Sequence, residues 1–99
     1  MKYDISKLSK AFDSRIRLGI MSVLMVNETI DFSTVKEMLK LTDGNLASHI
    51  AALEKLKYIV VNKQFVGKKP NTTFSATQAG KEAFNNHLEA LEKLIKMSK

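Results

Sequence analysis

Leu41-Thr42-Asp43-Gly44-Asn45-Leu46-Ala47-Ser48-His49-Ile50-Ala51-Ala52-Leu53-Glu54-Lys55-Leu56-Lys57-Tyr58-Ile59 is the stretch on which the fold turns. Thr42 is a good helix N-cap, and Asp43 in the first turn suits the positive end of the helix dipole. Leu46, Ile50, Leu53 and Leu56 recur at steps of four, three and three, the signature of one apolar helix face. At Tyr58 the composition switches to β-branched and aromatic residues. The stretch predicts a helix over 43–57 that runs directly into a strand.

Working upstream, Val35, Met38 and Leu39 predict the inward face of a helix capped by Asp31 or Ser33 and ending near Leu41. Thr29-Ile30-Asp31 before it reads as a very short β segment. Ile16, Ile20, Val23 and Leu24 form the buried stripe of an earlier helix, which Asp13 or Ser14 caps and which fades near Asn27. Asp13 and Arg17 stand four apart, positioned to pair on its outer face. Ile5, Leu8 and Phe12 are spaced as one face of a short first helix. The only proline is Pro70, so no residue before it blocks a helix.

Working downstream, Tyr58-Ile59-Val60-Val61 and Phe65-Val66, the turn cluster Gly67-Lys68-Lys69-Pro70-Asn71, and Thr72-Thr73-Phe74-Ser75 predict a β-hairpin over 58–76. Thr77 caps a last helix that continues to about residue 97, roughly 30 Å at 1.5 Å per residue. Two short helices across a tight turn, followed at once by a basic hairpin, make a winged helix-turn-helix. The expected fold class is mainly α with a small β-hairpin (α+β): one winged helix-turn-helix domain over 1–99 with a long C-terminal dimerisation helix.

The 99 residues carry a net charge of +6, and its placement matters more than its size. Within 57–76 every charged side chain is a lysine: Lys57, Lys63, Lys68 and Lys69. Such a segment attracts a polyanion, although a solvated loop would have the same composition. The chain has no cysteine, which excludes disulfides, thiolate zinc sites and cysteine nucleophiles, and fits a cytoplasmic location. No apolar run approaches the roughly 20 residues of a membrane span. No Gly-rich phosphate loop, nucleophile elbow or paired-histidine motif is present, so neither an enzyme nor a cofactor is expected. His49 and His87 alone do not make a metal site.

The helix over 43–57 suits a DNA major groove, about 12 Å wide, which admits one helix. With Leu46, Ile50 and Leu53 inward, Gly44, Asn45, Ser48, Ala52 and Lys55 face outward. Gly44 and Ala52 permit close approach, Asn45 and Ser48 can hydrogen-bond to bases, and Lys55 suits phosphate. His49 lies on the border of the two faces, as a DNA contact or as a packed edge residue. Thr42 sits at the start of this helix, and Lys63, Lys68 and Lys69 belong to a wing that would lie on the backbone or in the minor groove. Because Asp43 and Glu54 offset Lys55 and Lys57, cations elsewhere, such as Lys10, Arg15 and Arg17, must add to the field.

In the last helix Phe84, Leu88, Leu91 and Ile95 make one stripe, which Ala83, Ala90, Leu94 and Met97 widen. That is more apolar surface than a small domain needs, so a homodimer is expected, formed through Phe84, Leu88, Leu91, Leu94 and Ile95, with Ile5 and Leu8 of the first helix joining. A two-fold dimer would recognise a near-palindromic double-stranded DNA site. The other reading is a winged-helix module used for contact between proteins.

The stretches 41–50 and 53–59 resemble the reading-helix segment of small winged-helix regulators of the MarR and ArsR groups. Arg17-Leu18-Gly19-Ile20-Met21 is similar to their R-L-x-I-L segment, and Thr77-Gln78-Ala79-Gly80-Lys81 to their T-x-x-G-[KR] motif. The resemblance implies a homodimeric DNA-binding repressor or activator, with Asn45, Ser48 and His49 at the DNA surface. Lys57 departs from the pattern, standing where glycine or a small residue is common. The metal sensing of ArsR relatives has no cysteine to support it, and nothing in the sequence selects an effector.

Overall fold

Ser14 starts the first α-helix, its hydroxyl accepting from the backbone N–H groups of Ile16 and Arg17. In the computed structural model, which describes residues 5–97, this helix α1 spans Arg15–Met25. Strand β1 follows at Ile30–Asp31, and Asp31 is also the N-cap of α2, Phe32–Leu39. Its carboxylate accepts from the Thr34 N–H at 3.0 Å, and hydrogen bonds from the Thr34 side chain and then from this N–H hold the carboxyl below the ordinary aspartate range.

Lys40 ends α2 in the left-handed region, at φ 54°. This reverses the chain so tightly that only Leu41 and Thr42 separate it from α3, Asp43–Lys55. The Thr42 hydroxyl accepts from the Asn45 N–H at 3.1 Å, and Lys36 spans the turn to Asp43 with an Nζ–Oδ1 distance of 2.8 Å. After α3, Lys57 also takes a positive φ of 64°, at the position where the family pattern favours glycine. Strands β2, Ile59–Val66, and β3, Lys69–Ala76, form a hairpin closed by Gly67 and Lys68, with Gly67 at φ 66°. The antiparallel sheet has the order β1-β3-β2, with Phe74 opposite both Ile30 and Val61. The pair flanking the two-residue turn, Val66 and Lys69, carries the ladder bonds, so Pro70 in the next pair has no ladder donor to lose.

Helix α4, Gln78–Met97, is fastened to the end of α3. Thr77 donates its hydroxyl to the Lys57 carbonyl at 2.7 Å and accepts from the Gly80 N–H at 3.0 Å, while its own N–H donates to the Tyr58 carbonyl at 3.0 Å. A Cβ on Gly80 would run into that Tyr58 carbonyl, so the threonine and glycine of the T-x-x-G motif serve one junction. Ile20, Met21, Leu24, Val35, Leu46, Leu53 and Phe74 are the largest fully buried side chains. A second layer centres on Phe12, whose ring stacks on Tyr58 and meets Phe84 and His87 edge-on. The molecule is elongated, 60 × 25 × 21 Å. Among the described residues no helix is long and apolar enough to cross a membrane.

Four expectations need correction. Residues 5–12 do not form a helix; a single 3-10 turn, Lys10–Phe12, is capped by Ser9. The Ser9 N–H donates to Nδ1 of the buried His87 at 3.0 Å, tying this segment to α4 in place of a further helical turn. Met38 is 56% exposed, because α2 buries only Val35 and half-buries Leu39. Leu56 is 47% exposed, because it is the C-cap of α3 and lies past the last inward turn. Arg17 turns away from Asp13, donating through Nε to the Ala11 carbonyl at 2.6 Å and through Nη1 to His49.

Candidate nucleic-acid interface

The core sets the orientation of α3. Leu46, Ile50 and Leu53 are buried, so Gly44, Ser48, Ala51 and Lys55, on the opposite side, are exposed. At 100° per residue the helix then has two flanks beside this exposed ridge.

One flank faces α1. Asn45 lines a cleft of about 340 Å³ with Arg15 and Lys40, whose charged side chains are exposed at its rim. His49, half-buried, meets the Arg17 guanidinium at 3.2 Å. Arginine has donors only, so in this contact Nδ1 of His49 is the acceptor. Ala52 is half-buried on the same flank, and Thr42, exposed at the helix start, has its hydroxyl engaged in the cap.

The other flank faces the hairpin. Ala47, Ala51 and Glu54 form one wall of a groove of about 300 Å³, opposite Val61, Lys63 and Thr72, with Phe32, Ile50 and Phe74 completing its lining. Strand alternation puts Ile59, Val61, Lys63 and Phe65 on one face of the sheet, opposite Ala76, Phe74, Thr72 and Pro70. Lys63 is exposed on the face toward α3, Lys68 is exposed in the turn, and Lys69 is exposed on the other face beside it.

The result is a band: cations Arg15 and Lys40, then the exposed ridge of α3 with Lys55 as its single charge, then Lys63, Lys68 and Lys69 on the hairpin. Of the acids on α3, Asp43 is bridged to Lys36 and Glu54 shares the groove with Lys63. A polyanion laid along this band would meet positive charge on both sides of a slim helix that could approach it closely. Arg17, read from the sequence as pairing with Asp13 and as one of the cations adding to the field, is instead engaged with Ala11 and His49. As parts of this surface, Lys40, Ala47 and Ala51 escaped the sequence reading. Helical angle alone could have found the two alanines; Lys40 depends on a left-handed turn that its residue type does not announce.

On the last helix, Leu88, Leu91 and Ile95 are exposed, Leu94 is half-buried, and Phe84 is buried in the chain's own core. Ile5 is exposed and Leu8 half-buried.

The sequence profile described as winged helix DNA-binding domain matches residues 16–95. An uncharacterized protein of Methanocaldococcus jannaschii is 33% identical over 87 residues, which span 88% of this chain and 95% of that protein. The structure of a transcriptional regulator homologue from Pyrococcus horikoshii is similar at a TM-score of 0.78 and 32% identity, over 91% of this chain and 94% of its own. The PcaV transcriptional regulator of Streptomyces coelicolor, solved with its natural ligand, reaches a TM-score of 0.74 over 93% of this chain and 64% of its own. At 13% identity the last is a likeness of fold.

Proposed function

The chain belongs to the winged helix DNA-binding domain family, and from that premise we propose that it is a sequence-specific transcriptional regulator binding double-stranded DNA as a homodimer. The observation that carries this reading is the exposed ridge of α3, whose single charge is Lys55, between two groups of cations. In it, Gly44 and Ala51 let α3 settle into the major groove, Asn45 and Ser48 offer hydrogen bonds to base edges, and Lys55 meets phosphate. Lys63, Lys68 and Lys69 hold the flanking backbone or enter the minor groove, while Arg15 and Lys40 neutralise phosphates on the other side. Residues 1–99 act as one domain in the cytoplasm, without catalysis and without a cofactor.

The dimer uses Leu88, Leu91 and Ile95, an exposed apolar strip on α4 beside the strip that packs on its own core, with Leu94, Ile5 and Leu8 at its margin. Two-fold symmetry would set two reading helices one DNA turn apart, about 34 Å, on a near-palindromic site. The resemblance of 41–59 to MarR and ArsR regulators agrees with this arrangement.

Salt-titrated duplex binding tests the reading. The logarithm of the affinity falls linearly with log salt, and Lys68→Ala/Lys69→Ala, which removes four lysines from the dimer, lowers the slope by about 3.6, or 0.9 per lost phosphate contact. Binding that is indifferent to salt, or unchanged in the double variant, removes the wing from the mechanism.

A further inference from the structure

We infer that Phe65 is an apolar wedge, which the wing inserts between base steps of the minor groove so that the protein bends the DNA it reads. This inference rests on the DNA-binding reading above and adds a residue and a deformation to it. Phe65 is 74% exposed, the most exposed of the chain's described phenylalanines, and it lies two residues from the hairpin turn. It cannot fold back into the core: Ile59, at the buried base of β2, is six residues away, about 20 Å along a strand.

The direction of the side chain follows from the ladder. Phe65 shares its sheet face with Val61 and Lys63, and that face lines the groove against Ala47 and Ala51 of α3. The ring therefore lies on the side of the wing turned toward the reading helix. It stands four residues past Val61, about 13 Å farther out along the strand. Adjacent major and minor grooves are offset by about half a turn, roughly 17 Å, so with α3 in one groove the wing tip reaches the next.

Charge and stiffness complete the case. Lys63 shares the ring's face of the wing, Lys68 lies in the turn beyond it and Lys69 on the other face, and no acid lies within 57–76, so the wing that presents Phe65 is complementary to a polyanion and repels a basic one. Directly across the ladder stands Pro70, whose fixed φ stiffens the strand, and the connection is only Gly67 and Lys68. The ring is presented on a short rigid hairpin, so little order has to be gained on insertion. Apolar side chains carried this way unstack a base step and bend the duplex toward the major groove.

The test is a circular-permutation bending assay on a selected site, comparing the full chain with Phe65→Ala, Phe65→Leu and Lys68→Ala/Lys69→Ala. The wild type is expected to bend the site by about 20–90°. Phe65→Ala should lose the bend and bind roughly ten-fold more weakly with an unaltered salt slope, since it removes a base contact and no charge. Phe65→Leu should keep much of the bend, leucine being a wedge residue too. Thermal melts should be the same for both, because the side chain is exposed. An unchanged bend in Phe65→Ala overturns the wedge while leaving the DNA-binding reading intact. Loss of the dimer in that variant, seen by light scattering, also overturns it, by assigning the wing tip to a subunit contact. Failure of the wild type to bind any duplex at low salt overturns both readings together.

Discussion

Arg17 of α1 donates to Nδ1 of His49 on α3 at 3.2 Å, while its Nε donates to the Ala11 carbonyl at 2.6 Å. One guanidinium thus joins the N-terminal segment, the first helix and the helix proposed to read DNA. Ala11 follows the Ser9 cap, and Ser9 is tied to His87 of α4, so a run of polar contacts extends from α4 to α3. Arg17→Ala should lower stability by about 1–3 kcal/mol, because it leaves the Ala11 carbonyl and His49 without this partner. Lysine cannot span both acceptors with a planar fork and should not restore it. A double-mutant cycle of Arg17→Ala with His49→Ala, followed by urea unfolding, should give a coupling of about 0.5–1.5 kcal/mol. Additive losses would mean that the contact contributes nothing.

The junction of Lys57 and Tyr58 with Thr77 and Gly80 predicts two opposite effects. Gly80→Ala places a Cβ against the Tyr58 carbonyl, a backbone atom that cannot move alone, and should cost about 1–3 kcal/mol. Lys57→Gly relieves a left-handed lysine, worth about 1–2 kcal/mol, against an entropic loss of about 0.5–1 kcal/mol, and should raise stability slightly. Thermal melts of the two variants separate the signs.

Asp31 predicts the acid limb of the stability curve. Hydrogen bonds from the Thr34 side chain and N–H hold its carboxyl below the ordinary value of about 3.9. A depressed folded value means that the contribution is fully present above the unfolded value and is lost as pH falls through the folded one. Asp31→Ala should cost about 1 kcal/mol at neutral pH, and less once the pH is below both values. Asp31→Asn should keep most of the cap and flatten the dependence, as urea midpoints between about pH 2 and 7 would register.

The two strips of α4 predict separable phenotypes. Leu88→Glu/Leu91→Glu alters exposed side chains and should yield a folded monomer in sedimentation, with weaker binding to a two-half-site duplex. Phe84→Ala removes a side chain buried against Phe12 and should instead cost about 3–5 kcal/mol of stability. A persistent dimer in the double glutamate variant would move the interface elsewhere.

These contrasts show what was legible in the sequence. Thr42 and Thr77 announced their helices, and Ser14 and Asp31 did so each as one of two candidates, because capping is a local bond between a side chain and an N–H two or three residues on. Leu46, Ile50 and Leu53 announced the inner face of α3 because helical period is local too. Phe12 was harder: its burial comes from Tyr58, Phe84 and His87, all remote in sequence, and its spacing from Ile5 and Leu8 imitated a helix. Phe84 fell into one stripe with Leu88 and Leu91 because period gives a face but not which part of it the core covers. Of the proposed interface, Asn45, Ser48 and the wing lysines followed from pattern and charge. Arg17's engagement and Lys40's turn needed three-dimensional partners.

The most direct test of the central claim is a chemical-shift titration of the 15N-labelled chain with an unselected duplex at low salt. The account predicts shifts at the amides of Gly44, Asn45, Ser48, Ala51 and Lys55, and at Lys63, Phe65, Lys68 and Lys69, that reverse as salt is added. Shifts confined to Leu88, Leu91 and Ile95 on α4, with those of α3 and the hairpin unmoved, would contradict it.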